Sequence, residues 1–302
     1  MRRRTSLAVA VVAVIAALVL SGCGSTADPA SPSAAASTSV SGAASGTDPT
    51  ASTASTAPAA GSYVALGDSY AAAPGVPITS IAGGCFRSNH DYAHLLAAAL
   101  HASLTDVTCS GATTRDLTRP QQIVQVQVPP QFDALKPTTT LVTLGIGGND
   151  LDLFEAVLDR CLTGVRRCLQ GVDVRGDTET VEQRLTKALR EVHHRSPAAR
   201  VVLVGYPQLI PANDTGCAGL PARAKVLGTV RRLIADFSTM MARAARGGRA
   251  RYVDLIGPSA GHDICSASPW INGSRDTGQA VAFHPLPAEQ QAVAHLVGQA
   301  LG

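Results

Sequence analysis

The chain has no apolar run long enough to cross a membrane. Its N-terminal run, residues 7–20, is 14 residues long, whereas a spanning helix needs about 20. It also has no charge excess beyond its first few residues. Of 25 basic residues set against 22 acidic ones, three are Arg2, Arg3 and Arg4, so the remainder balances. No long basic run follows, and a balanced surface has little drive toward nucleic acid. No Cys-x-x-Cys pair occurs, which argues against a zinc site or a thioredoxin-type motif. No internal repeat is present, and the loop after the first apolar run has no string of small hydroxyl residues to cradle a flavin phosphate.

What is present falls into three parts. Residues 1–22 read as a secretory signal: a basic start, an apolar stretch, then Leu20-Ser21-Gly22-Cys23. That ending resembles the bacterial lipobox, in which the cysteine is lipidated, so Cys23 is expected as the anchored N-terminus of the mature protein. Residues 24–61 are Ala, Gly, Ser, Thr or Pro except for Asp28, Val40 and Asp48. Such a composition has no apolar face with which to build a core. It is a tether, spanning about 34 Å on average as a flexible coil. Residues 62–302 suffice for one sizeable α/β domain.

Six cysteines lie in that domain: Cys85, Cys109, Cys161, Cys168, Cys217 and Cys265. An even number behind a secretory signal suits disulfides, with fifteen pairings open. Closeness in the chain favours Cys161 with Cys168. Five short apolar, β-branched runs read as buried parallel strands: 63–67, 104–109, 140–146, 200–206 and 251–256. Helical patterns fill the gaps at 90–102, 150–162, 178–194, 221–246 and 287–301, with Asp177 a plausible cap. Strand–helix alternation implies right-handed crossovers and a three-layer α/β/α sandwich.

Ser69 follows the first strand in Gly67-Asp68-Ser69-Tyr70, where a hydroxyl can stand above the C-terminal edge of a parallel sheet. Gly147-Gly148-Asn149-Asp150 follows the third strand, and His284-Pro285 precedes the last helix. Acyl transfer needs a nucleophile, a base and donors aimed at a developing oxyanion. Ser69 is the nucleophile candidate and His284 the base candidate, since imidazole titrates near neutrality. Six of the other histidines sit on helical, surface-type stretches; His262 is in a loop. A bland reading makes Ser69 a turn or N-cap residue and Asn149 a helix cap.

Together with Cys109-Ser110-Gly111-Ala112-Thr113, these blocks resemble the SGNH hydrolases of the GDSL esterase/lipase superfamily, nearest to secreted actinobacterial members with three disulfides. The resemblance implies a flavodoxin-like fold with a five-stranded parallel sheet. It implies an oxyanion hole from the Ser69 and Gly111 backbone N–H groups and the Asn149 amide, and cystines Cys85–Cys109, Cys161–Cys168 and Cys217–Cys265. It implies no metal or other cofactor. Many relatives carry Asp three residues before the histidine, where this chain has Val281. The backbone carbonyl of Val281 is therefore expected to orient His284, with Asp276 and Asp263 as rival carboxylates. Ala73, where relatives often have glycine, is expected to narrow the pocket mouth. Arg87 reads as structural or as part of the pocket edge.

The expected protein is a monomeric, lipid-anchored, extracytoplasmic ester hydrolase acting on an ester or lipid, with no nucleic-acid partner. The alternatives are a deacetylase or acyl esterase of envelope glycans or lipids, and a catalytically silent binding module on the same fold.

Overall fold

The computed structural model describes residues 61–302. The expected signal peptide, the expected lipidation site at Cys23 and the expected tether up to residue 60 lie outside the described residues. Five strands form the central sheet: β1 (Ser62–Gly67), β2 (Ser103–Asp106), β3 (Leu141–Gly145), β4 (Arg200–Val204) and β5 (Arg251–Val253). All pair in parallel, in the order β2-β1-β3-β4-β5. Tyr63 stands between Leu104 and Leu141, and Gly67 lies opposite Gly145. The chain leaves β1 toward one edge, returns, and builds β3 to β5 on the other side. The order therefore reverses between β1 and β3, and loops leaving their C-terminal ends diverge to open a crevice.

The β-branched and aliphatic strands are buried on both faces because helices cover both. Val64, Leu66, Val142 and Leu144 pack with α3 (Val174–Arg195) and α4 (Ala224–Gly248), through residues such as Leu185 and Phe237. Tyr63, Ala65 and Val202 point the other way, onto α2 (Tyr92–Leu100) and α5 (Pro287–Leu301). Each large apolar side chain buried in this way contributes about 1.5–3 kcal/mol. Among the described residues no helix is long and apolar enough to cross a membrane.

Several elements differ from the sequence expectation. Strand β2 ends at Asp106, short of 109, because residues after it turn to carry Cys109 into a cystine with Cys85. Helix α3 begins four residues before 178, capped by Asp173 in place of Asp177; Asp173 Oδ1 accepts the Gly176 N–H at 3.2 Å. The regular helix expected over 150–162 is broken into short turns, with Leu151 and Asp152 at φ of 57° and 60°. Asp150 explains the break. Its carboxylate is drawn inward to Thr114 and Arg184, which diverts the chain from a straight helical path. The connections after β1 and β2 fold in part into hairpins, Thr79–Ser80 with Arg87–Ser88 and Gln121–Ile123 with Val126–Val128.

The cystines are Cys85–Cys109, Cys161–Cys168 and Cys217–Cys265. Each ties a loop at the C-terminal side of the sheet. Three such bonds suit an oxidising compartment.

Candidate active site

Asp68 prepares the position of Ser69. Its backbone N–H donates to Gly145 O at 2.9 Å, and its Oδ1 accepts the Tyr70 N–H at 3.0 Å. Asp68 is thus the cap of the one-turn helix α1 (Ser69–Ala72), and Ser69 is the first helical residue. The capping role considered for the serine belongs to its neighbour. The Ser69 hydroxyl has no hydrogen-bond partner among the described residues and lines a cavity of about 560 Å³. Behind it, Gln131 closes the end of β1 by exchanging two bonds of 2.8 Å with the Gly67 N–H and C=O.

Gly111 and Asn149 line the same cavity. Gly111 sits at φ 76°, a conformation that favours glycine. Its neighbours are pinned: the Ser110 N–H donates to Cys85 O at 3.0 Å and the Ala112 N–H to Cys109 O at 3.1 Å. The Gly111 and Ser69 N–H groups donate to no acceptor among the described residues. The Asn149 side chain does not cap the turn that follows it. Its Nδ2 donates one proton to Ala112 O at 3.0 Å, which orients the amide and leaves its second N–H available. Asp150 fixes this loop from below, accepting from the Thr114 N–H and Arg184 Nη1, both at 2.8 Å.

His284 arrives on a loop held at several points. The Tyr70 hydroxyl donates to Phe283 O at 2.7 Å, the Phe283 N–H to Gly273 O at 3.0 Å, and the Val281 N–H to Pro74 O at 3.1 Å. Gly75 permits that approach: at φ 88°, a Cβ there would lie 2.7 Å from Val281 N. The imidazole Nδ1 bonds the carbonyl of Ala282 at 2.8 Å. This corrects the expectation for Val281. Its carbonyl is occupied by Asn272 Nδ2 at 3.1 Å and by the His284 N–H at 3.2 Å. The acceptor is still a neutral backbone oxygen, supplied one residue later.

Among the described residues no carboxylate bonds the ring. Asp276 is exposed and accepts the Ala282 N–H at 2.7 Å, while buried Asp263 accepts the Cys265 N–H at 2.9 Å. With Nδ1 engaged by a carbonyl, Nδ1 carries the proton and Nε2 is the basic nitrogen. The ring is partly exposed along the cavity wall, yet loss of solvation holds its pKa below the ordinary 6.5, and the Ala282 carbonyl offsets this only in part. His262 stands elsewhere, stacked on Trp270 at 4.7 Å and bonded to Ser268 O.

The cavity wall is mostly apolar where Phe86, Phe154 and Leu158 contribute. Ala73 is not part of that wall. It is fully buried and caps α1 in the left-handed region at φ 52°. Glycine adopts this conformation freely, whereas alanine gives up about 1–2 kcal/mol there. The departure at residue 73 therefore acts on backbone strain, and the pocket mouth is unaffected. Arg87 is structural, its Nη1 donating to Asp106 O at 2.7 Å.

Sequence reasoning missed the support behind the motifs. The phenol of Tyr206 joins Asp68 to Gly148, and Gln131 seals β1. A tyrosine at the end of a strand gave a faint signal for the first. Nothing marked Gln131, and a backbone acceptor such as Ala282 O leaves no side-chain signature at all.

A serine after β1, a glycine after β2, an asparagine after β3 and a late histidine, all around one crevice at the strand C-termini, define a parallel α/β hydrolase architecture. The chain belongs to the GDSL-like lipase/acylhydrolase family, whose model matches residues 65–292. It is 39% identical over 255 residues to Lipase 2 of Streptomyces coelicolor, covering 80% of this chain and 85% of that protein. Among solved structures it resembles phospholipase A1 from Streptomyces albidoflavus NA297, at 30% identity and a TM-score of 0.66 over 80% of this chain and 99% of the other. The extracellular lipase of Streptomyces rimosus superposes with a TM-score of 0.68 at 27% identity, over 80% of this chain and all of the other. The protein is accordingly an enzyme, a carboxylic ester hydrolase of the lipase/esterase type.

Proposed function

We propose that Ser69 forms an acyl-enzyme with an ester carrying an extended apolar acyl chain, with His284 as base. His284 Nε2 removes the Ser69 proton as Oγ attacks the ester carbonyl. The oxyanion then accepts hydrogen bonds from the Ser69 and Gly111 N–H groups and from Asn149 Nδ2. The imidazolium returns its proton to the leaving alcohol. Water, deprotonated by His284, next attacks the acyl carbon and frees Ser69. The Ala282 carbonyl holds the ring tautomer, though a neutral acceptor stabilises the imidazolium less than a carboxylate would.

One observation carries this reading. His284, with Nδ1 fixed by a backbone carbonyl, shares a cavity with an unbonded serine hydroxyl and with Gly111 and Asn149. The volume and apolar walls of that cavity favour an acyl chain well beyond acetyl, and so favour a lipase or esterase over a deacetylase. The location we propose is extracytoplasmic, with a lipid on Cys23 and residues 24–61 as the tether that keeps domain 62–302, a monomer, near the membrane. The disulfides support export.

A fluorophosphonate probe tests the nucleophile. Labelling of the folded protein that disappears in Ser69→Ala, with hydrolysis falling by about 10⁴-fold or more, is the expected result. Equal labelling of both proteins would refute the assignment.

A further inference from the structure

A second cluster of chemistry lies outside the Ser69 cavity, where the first turn of α2 meets the C-terminal end of β2. Asp91 caps α2. Its Oδ1 accepts the His94 N–H at 2.9 Å and lies 2.9 Å from His94 Nδ1. Its Oδ2 is buried and has no hydrogen-bond partner, on a residue with no solvent exposure. Asp106 ends β2. Its Oδ1 accepts from the Thr108 N–H at 2.9 Å and the Thr108 hydroxyl at 2.7 Å, while its Oδ2 is likewise buried and without a partner. The adjacent guanidinium of Arg87 spends Nη1 on the Asp106 backbone carbonyl.

Asp91 is fully buried and Asp106 half-buried, and each keeps one buried oxygen without a partner, a desolvation cost that a cation would relieve. One ligating atom from each of Asp91, His94 and Asp106 lies within 4.8 Å of the other two. Donors about 2.1 Å from a shared ion stand no more than about 4.2 Å apart, so small side-chain rotations close the set. We propose that Asp91, His94 and Asp106 bind one divalent transition-metal ion, with Zn²⁺ as the first candidate.

Two carboxylates neutralise such an ion. The imidazole favours zinc or another nitrogen-accepting metal over Ca²⁺ and Mg²⁺, which take oxygen ligands. The His94 side chain is 37% exposed, which leaves a path for entry and room for water in the remaining coordination position. The six cysteines of the domain are consumed in disulfides and do not compete for the metal. An ion here would fasten α2 to the end of β2, on the segment that runs through Cys109 to Gly111. The role is structural, and the inference stands apart from the ester chemistry because its readout is binding.

The test is equilibrium dialysis and calorimetry of the full chain after chelator stripping, with Zn²⁺ and then Mn²⁺, Ca²⁺ and Mg²⁺. The wild type is expected to take up one Zn²⁺ per chain, to prefer it over Ca²⁺ and Mg²⁺, and to gain thermal stability from it. Asp106→Asn and His94→Ala are each expected to lower zinc affinity by about 10–100-fold or more and to lose the zinc-dependent rise in Tm. His94→Ala changes a partly exposed side chain and decides the matter if Asp106→Asn does not fold. Retained zinc affinity in either folded variant overturns the site. So does a wild type that binds no zinc at millimolar concentration.

Discussion

The hydroxyl of Tyr206 donates to Asp68 Oδ2 while accepting the Gly148 N–H at 3.0 Å. One phenol at the end of β4 thereby joins the segment that presents Ser69 to the segment that presents Asn149. The junction is buried, and edge-on contacts of Tyr206 with Tyr70 and Phe154 keep the ring in place. Burial pushes the Asp68 carboxyl up to about 7, so the hydrogen bonds from Tyr206 and the Tyr70 N–H matter for keeping it ionised.

Tyr206→Phe removes the bridge and keeps the ring. The Gly148 N–H loses its acceptor and Asp68 Oδ2 its donor. The expected cost is about 1–3 kcal/mol, seen as a lower midpoint in urea. Ester hydrolysis should fall through kcat more than through KM, because the bridge positions groups and touches no substrate.

Asp276→Asn separates a backbone orienter from a charged third triad member. Asparagine keeps an oxygen to accept the Ala282 N–H and removes the charge. Activity is expected to stay within about tenfold of wild type, against a loss of about 10⁴-fold if a carboxylate partner of the histidine were neutralised. Steady-state kcat/KM with a soluble ester distinguishes the two.

The acidic limb of the pH profile should lie low. Desolvation holds the His284 pKa below 6.5. As pH falls through that value Nε2 is protonated and the base is lost, so kcat/KM should decline with an apparent midpoint below 6.5. A midpoint at or above 7 would contradict this and would indicate a carboxylate close to the ring.

Glu289 provides a stability prediction independent of catalysis. It is buried in α5, accepts from Gln290 Nε2 at 2.7 Å, and burial raises its carboxyl from the ordinary 4.5 to about 8. A raised folded-state pKa contributes stability that is fully present below pH 4.5 and is lost as pH climbs toward about 8, because the unfolded chain ionises first. Glu289→Gln should match wild type near pH 4 and exceed it at pH 8, by at least about 2–4 °C in Tm, the shift worth about 1 kcal/mol in a domain of this size. Calorimetric scans at the two pH values provide the check.

The fold was legible because its signals are local and repeated. Strand β1 needed only Tyr63 to Gly67 to declare itself, and α5 begins at Pro287 as its proline signals. The helix over 150–162 was misread because its apolar spacing is genuine, yet Asp150 is captured by Thr114 and Arg184, which are distant in the chain. The cap of α3 was misplaced for a different reason. Asp173 and Asp177 both suit a helix start, and only the path of the chain after Cys168 chooses between them.

Strand–helix alternation, balanced charge, the even set of cysteines and the residue types able to carry acyl transfer are all readable along the chain. Periodicity and side-chain chemistry are properties of neighbouring residues. The tertiary structure alone decided that Ala282 and not Val281 faces the imidazole, that Ala73 acts on the backbone, and that Tyr206 links two loops. Carbonyl directions, left-handed dihedrals and contacts across 138 residues follow from how the whole chain closes on itself, and no short stretch of residues encodes them.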